Sequence, residues 1–260
     1  MKISEAEREQ GQLTASHLAL ALRLLRECGY VTLEAVLPNE WVEKMRLAFE
    51  EEGRQQFKGE WPKGHGGVSV PMRMPFLDPL VIENPFAMQI LEGAMGEGVF
   101  SSLPYGNNIA WPGCQTQHIH RDTGHLFPGT PFVLPLSLAV VNIPLVDFTQ
   151  ENGATEVWPG SHLIVDLSPR EKEPLEERAA QLPSVRMVMP AGSVVMRDMR
   201  VWHRGMPNHT QTIRTMLALV YFRRFHHLPD NPQIFRRTIA SENWDGLSKR
   251  ARDLYRYNQA

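Results

Sequence analysis

From Ala110 onward this chain reads as a series of short β-rich runs with no helix-period stretch between them. The clearest runs are Phe132–Ile143, Val185–Met189, Ser193–Met196 and Thr215–Phe222, separated by Gly, Pro and Asn turns. Many short strands without intervening helices predict an antiparallel sandwich or barrel.

The first ninety-odd residues follow another period. Ser4 and Glu7 fit a capping box, and the apolar stripe from His17 to Leu25 stops near Gly29. A short strand, Tyr30 to Leu37, precedes the helix start Pro38-Asn39-Glu40. Trp41, Met45 and Phe49 then recur every four residues, which places them on one buried face. Asn84-Pro85 opens a further helix ending near Gly93 or Gly96. Between these helices, Lys58 to Glu83 is dense in Gly and Pro, and a loop of this length is read as a lid over a site or a surface excursion. A final helix is expected from Gly246 to Tyr257.

At 260 residues and 42% apolar content, the chain can bury one sizeable core, so one domain is expected. Its parts are a helical region 1–97, a β core of about 98–225 and an extension 226–260. The net charge of -2, without basic runs or an acidic tail, gives no support to a nucleic-acid or membrane-surface partner. The polar start MKISEAEREQ does not read as a signal peptide, and the mostly apolar run Phe132–Val146 is too short to span a bilayer. Cys28 and Cys114 form no metal-like or redox pair and are read as reduced thiols of a cytoplasmic protein.

The sharpest chemical feature is Gln117-His118-Ile119-His120-Arg121-Asp122. In a strand, His118, His120 and Asp122 would share one face, so a His and a carboxylate two apart could grip one metal ion. About one such His-x-Asp/Glu pair is expected by chance from 10 His and 29 acidic residues, so the motif alone is weak. A second feature is Val201-Trp202-His203-Arg204-Gly205, with Arg214 eleven residues after the His. An Arg in an apolar strand is costly if buried unpaired, and it suits a two-pronged grip on a carboxylate. A third is the stretch Glu151 to His162, with turns at Asn152-Gly153 and Pro159-Gly160 and with Thr155 between them.

His-x-Asp, then Asn-Gly-Ala-Thr and Pro-Gly-Ser-His, then Trp-His-Arg-Gly with an Arg eleven after the His, occur in that order. Together they resemble the phytanoyl-CoA dioxygenase family of 2-oxoglutarate oxygenases, across roughly residues 16 to 225. The resemblance implies a mainly β fold with flanking helices around a double-stranded β-helix (jelly-roll, cupin-like) core. It implies Fe(II) held by His120, Asp122 and His203, which would be the catalytic centre, with 2-oxoglutarate and O2 as cosubstrates. The far carboxylate of 2-oxoglutarate would sit on Arg214, with Thr155 and Gln117 as further cosubstrate contacts. Halogenating relatives carry a small residue at the position of Asp122, so its presence argues against halogenation. The expected activity is oxidation, chiefly hydroxylation, of a small to medium organic substrate, with succinate and CO2 released.

Two other readings stand beside it. A cupin-like metal enzyme could use His118 and His120 without 2-oxoglutarate, and a jelly roll could bind ligands without turnover. For the substrate, the segment 58–83 with Phe127, Phe132, Tyr221 and Phe225 would form a fairly apolar pocket.

Overall fold

The computed structural model describes residues 1–165, 174–226 and 239–258. Four of the five helix starts in the first 95 residues are set by side chains that accept otherwise orphaned backbone N–H groups, the exception being the start at Pro38. α1 (Glu5–Gln10) has the expected capping box, with Ser4 and Glu7 each bonded to the other's backbone. α2 (Ala15–Cys28) starts under the Thr14 hydroxyl and ends at Gly29, whose φ of 84° is the left-handed conformation that glycine adopts freely. Tyr30–Leu33 then forms β1. α3 (Asn39–Gln56) buries Val42, Met45, Phe49 and Gly53, while Trp41 is only half-buried at the core margin. α5 (Pro85–Met95) is capped by Asn84 and ends at Gly96, and Gly93 lies inside it. A short α4 (Pro79–Ile82) precedes it.

The strands are β2 (His65–Gly66), β3 (Phe100–Ser101), β4 (Gly106–Ala110), β5 (Leu138–Pro144), β6 (Glu156–Val157), β7 (Val185–Arg186), β8 (Val194–Asp198), β9 (His203–Arg204) and β10 (Arg214–Phe222). The larger sheet runs β1-β8-β5-β10-β4-β2, with β3 also on β10, and the smaller runs β7-β6-β9. Every pairing is antiparallel. This is the double-stranded β-helix expected from the sequence.

Alternation along the central strands decides what lies where. Ala139, Val141, Ile143, Val194, Met196, Leu217, Leu219 and Tyr221 join the helices in the main core. The intervening positions face the small sheet. There Val195 and Met216 pack with Phe148, Val157, Met187 and Met189. Asn142, Arg197 and Arg214 occupy polar positions on the same face. Arg214 lies opposite Ala110, which lies opposite His65, so one row crosses three strands.

Several sequence expectations change. The expected run Phe132–Ile143 becomes strand only from Leu138, and β5 continues to Pro144. Two short helices, α6 (Leu175–Ala179) and α7 (Ser241–Asp245), precede the expected final helix Gly246–Tyr257. That helix is shortened to α8 (Lys249–Leu254), capped by Ser248, and a 3-10 turn at Arg256–Asn258. Part of the expected extension 226–260 lies outside the described residues. Tyr221 is no pocket residue: it is buried in the main core with its hydroxyl 3.3 Å from the Ile82 carbonyl. Phe127, Phe132 and Phe225 are exposed.

Segment 58–83 is tied to the sheet rather than detached from it. β2 pairs with β4, Trp61 stacks on Trp111 at 5.1 Å, and Asn107 bonds both the Val68 N–H (2.9 Å) and its carbonyl (2.7 Å). Among the described residues no helix is long and apolar enough to cross a membrane.

Candidate active site

His120 and His203 exchange two backbone hydrogen bonds, of 3.0 and 2.8 Å, as an isolated antiparallel bridge. Segment 117–122 is otherwise outside any ladder, so the expected strand is reduced to this one paired residue. The bridge brings the two imidazoles to 4.3 Å between ring centroids. Asp122 is placed by its own N–H, which donates to the Met199 carbonyl at 3.0 Å. One ligand atom from each of His120, Asp122 and His203 lies within 4.8 Å of the others. His118 stays outside this cluster, exposed, with its ring 5.4 Å from that of His120.

Outer contacts orient the ligands. His203 Nδ1 lies 3.0 Å from the Val201 carbonyl, and His120 Nδ1 lies 3.0 Å from the His118 carbonyl. Each Nδ1 therefore carries the proton, and each Nε2 keeps the lone pair a metal needs. Burial, with Arg197 beside it, pushes His203 down to about 3, so the ring is neutral at ordinary pH. Burial alone would raise the Asp122 carboxyl, but the charge and hydrogen bond of Arg197 outweigh it and hold the group below its usual range.

The three candidate ligand residues and Arg214 open into the same cavity, of about 280 Å³. Arg214 is 2% exposed, and its Nε and Nη1 have no hydrogen-bond partner among the described residues; the guanidinium lies over the Phe148 ring at 4.6 Å. Burial pulls its pKa down to about 10, the mark of a buried cation that lacks an anion. Thr155 and Gln117 also line the cavity. The Gln117 carbonyl oxygen accepts from the Gly205 N–H at 2.8 Å, so the NH2 is the part it can offer a ligand. All six residues expected at the site are thus brought together.

The remaining motif residues are scaffold. A Cβ on Gly153 would lie 2.6 Å from the Met206 carbonyl oxygen, and its φ is 86°. Ser161 accepts from the Trp202 N–H at 2.8 Å, which tethers the residue before His203. His162 is buried, with Nε2 3.1 Å from the Arg26 carbonyl.

Two cavity residues escaped the sequence reading. Arg197 is buried on β8, and the signal that picked out Arg214, a charge within an apolar strand, applied equally to it. His65 lies in the Gly/Pro-rich segment, where no pattern marks it, and reaches the cavity because β2 pairs with β4.

A profile of the phytanoyl-CoA dioxygenase (PhyH) family matches residues 25–216. The chain belongs to that family. It is 26% identical over 216 residues to Dioxygenase trt7 of Aspergillus terreus, covering 76% of this chain and 71% of that protein. Dioxygenase af480 of Aspergillus fumigatus is 28% identical, with 79% of this chain and 66% of the relative covered. The iron/alpha-ketoglutarate-dependent dioxygenase okaE of Penicillium ochrochloron is 25% identical, with 70% and 62% covered. Among solved structures, the non-haem alpha-ketoglutarate-dependent carbocyclase SnoK from nogalamycin biosynthesis superimposes with a TM-score of 0.59 at 25% identity, covering 81% of this chain and 84% of that one. The epimerase SnoN has a TM-score of 0.60 at 20% identity, with 80% and 84% covered, and speaks for the fold alone. As a PhyH member, the chain is an iron- and 2-oxoglutarate-dependent dioxygenase.

Proposed function

We propose that this dioxygenase hydroxylates a C–H bond of a small to medium organic molecule, with His120, Asp122 and His203 as the iron ligands and Arg214 as the cosubstrate anchor. The observation that carries this is the shared cavity. A two-His, one-carboxylate cluster and a buried guanidinium with unused donors open into one space. Two imidazoles and one carboxylate fit a borderline divalent ion such as Fe(II) with open positions, and the unused donors of Arg214 fit a carboxylate.

When bound, iron supplies the oxidation, which consumes O2 and 2-oxoglutarate and releases succinate and CO2 beside the hydroxylated product. The chain's own groups do the positioning. Arg214 takes the far carboxylate, Thr155 offers a hydroxyl and Gln117 an amide N–H. Met187, Met189, Met216 and Val195 form an apolar wall that limits water at the reacting end. Asp122 in place of a small residue supports oxygen insertion over halogenation. The likeness to SnoK, an enzyme of nogalamycin biosynthesis, supports a secondary metabolite as substrate. A metal site on His118 and His120 lacks comparable support, because His118 lies outside the cluster. One domain and a cytoplasmic location remain our reading, in keeping with free Cys28 and Cys114.

The test is an anaerobic titration with Fe(II) and then 2-oxoglutarate. A weak visible charge-transfer band, followed by succinate formation on admitting O2, is expected. Metal binding with no band and no succinate would overturn the proposal.

A further inference from the structure

The two oxygens of Asp122 have different surroundings. Oδ1 lies 3.6 Å from His203 Nε2, on the side where the ligand atoms converge. Oδ2 accepts from Arg197 Nη2 at 2.6 Å, a short charge-assisted bond. Arg197 Nη1 lies 3.3 Å from His203 Nδ1, so one guanidinium touches two of the three ligand residues. That nitrogen already gives its proton to the Val201 carbonyl, so the Arg197 approach is donor against donor and adds no hydrogen bond; the grip of Arg197 is on Asp122.

Arg197 is well placed to hold still. It is 5% exposed and stands on β8 between Tyr30 of β1 and Val140 of β5, so its backbone is paired on both sides. Asp122 has a lighter frame. It lies outside the strands, its N–H and that of Thr123 both donate to the Met199 carbonyl, at 3.0 and 3.2 Å, and its side chain is 29% exposed. Those backbone ties leave the carboxylate itself free to turn and offer both oxygens to a metal. The firmer element therefore sets the orientation of the looser one.

We propose that Arg197 is the positioning residue of the metal centre. It occupies Oδ2, presents Asp122 as a one-oxygen ligand, and keeps the position that a second oxygen would take open to cosubstrate. This rests on the assignment of His120, Asp122 and His203 as iron ligands. A cation beside a dication site has an electrostatic cost, but the Arg197 charge is already matched by Asp122 at 2.6 Å. What remains is orientation, and partners that orient metal ligands commonly govern affinity by about 10- to 100-fold.

The experiment is anaerobic calorimetric titration of the metal-free protein with Fe(II), beside its melting temperature. Arg197→Met removes the grip and should weaken iron binding by at least about ten-fold. Arg197→Gln can still donate an N–H to Oδ2 and should stay within about three-fold of the wild type, a rescue that mere packing would not give. Arg197→Lys keeps the charge with a one-point grip and should fall between; it carries the test if the methionine variant does not fold. Wild-type or tighter iron affinity in the Met variant, or in the Lys variant in its place, overturns the proposal. So does a fall in metal-free melting temperature with unchanged affinity. Failure of the wild-type protein itself to bind Fe(II) would instead sink the ligand assignment.

Discussion

His120 and His203, 83 positions apart in sequence, exchange both backbone hydrogen bonds across an isolated bridge, so the two rings are fixed relative to each other before any metal arrives. His203 is set in β9 of the small sheet, and the segment of His120 is tied to it on one side by the Gln117–Gly205 hydrogen bonds and on the other by the Asp122 N–H on the Met199 carbonyl.

His203→Ala should abolish stoichiometric Fe(II) binding, because two ligands remain and the geometry is no longer facial. His118→Ala should change iron affinity by less than about three-fold, since only ligands and their orienting partners act more strongly. Equilibrium dialysis against Fe(II) reads both. Loss of iron from the His118 variant would revive a site built on His118 and His120.

Arg214→Met separates function from stability. Loss of a buried charge-assisted carboxylate contact costs roughly 2–5 kcal/mol, or about 30-fold to several thousand-fold in 2-oxoglutarate affinity. Without cosubstrate, however, Arg214 is an unpaired buried cation, and an apolar side chain of similar length removes that penalty. The variant should therefore melt higher than the wild type when both lack 2-oxoglutarate. Unchanged 2-oxoglutarate dependence would move the cosubstrate site elsewhere.

Gly205 is required by space. A Cβ there would lie 2.4 Å from His65 Cε1 and 2.6 Å from Gln117 Oε1. Gly205→Ala must push both side chains in the cavity wall, at a cost of about 1–3 kcal/mol from overpacking. The expected signature is a lower melting temperature together with weaker 2-oxoglutarate binding. A wild-type value for both would show that the wall gives way freely.

Segment 58–83 should behave as a wall held to the sheet rather than as a free cover. The Val68 amide donates to Asn107 Oδ1 at 2.9 Å, and its hydrogen exchange should be slow even in metal-free protein. Asn107→Ala should speed exchange at Val68 by more than ten-fold, a loss of about 1.4 kcal/mol of local protection. Equal exchange in both proteins would show that the segment is not held by Asn107.

Local periodicity and spacing determined much of this protein. Alternation of apolar residues, turn chemistry and capping residues are properties of neighbours, so the helical start, the β core and the order of motifs could be read directly. The final helix was started too early, at Gly246, because its true start is set by the Ser248 hydroxyl accepting from the Ala251 N–H, which periodicity alone passes over. His120, Asp122, His203, Arg214, Thr155 and Gln117 were legible because together they repeat a known order of motifs. Tertiary structure decided what depends on distance through space. It put His118 outside the ligand cluster, left Arg214 without a partner, brought His65 across β4 into the cavity, and set Arg197 against Asp122. A sequence shows that a charge interrupts an apolar strand, but pairing register decides which face it takes, and only the closed sheet decides which charge it meets there.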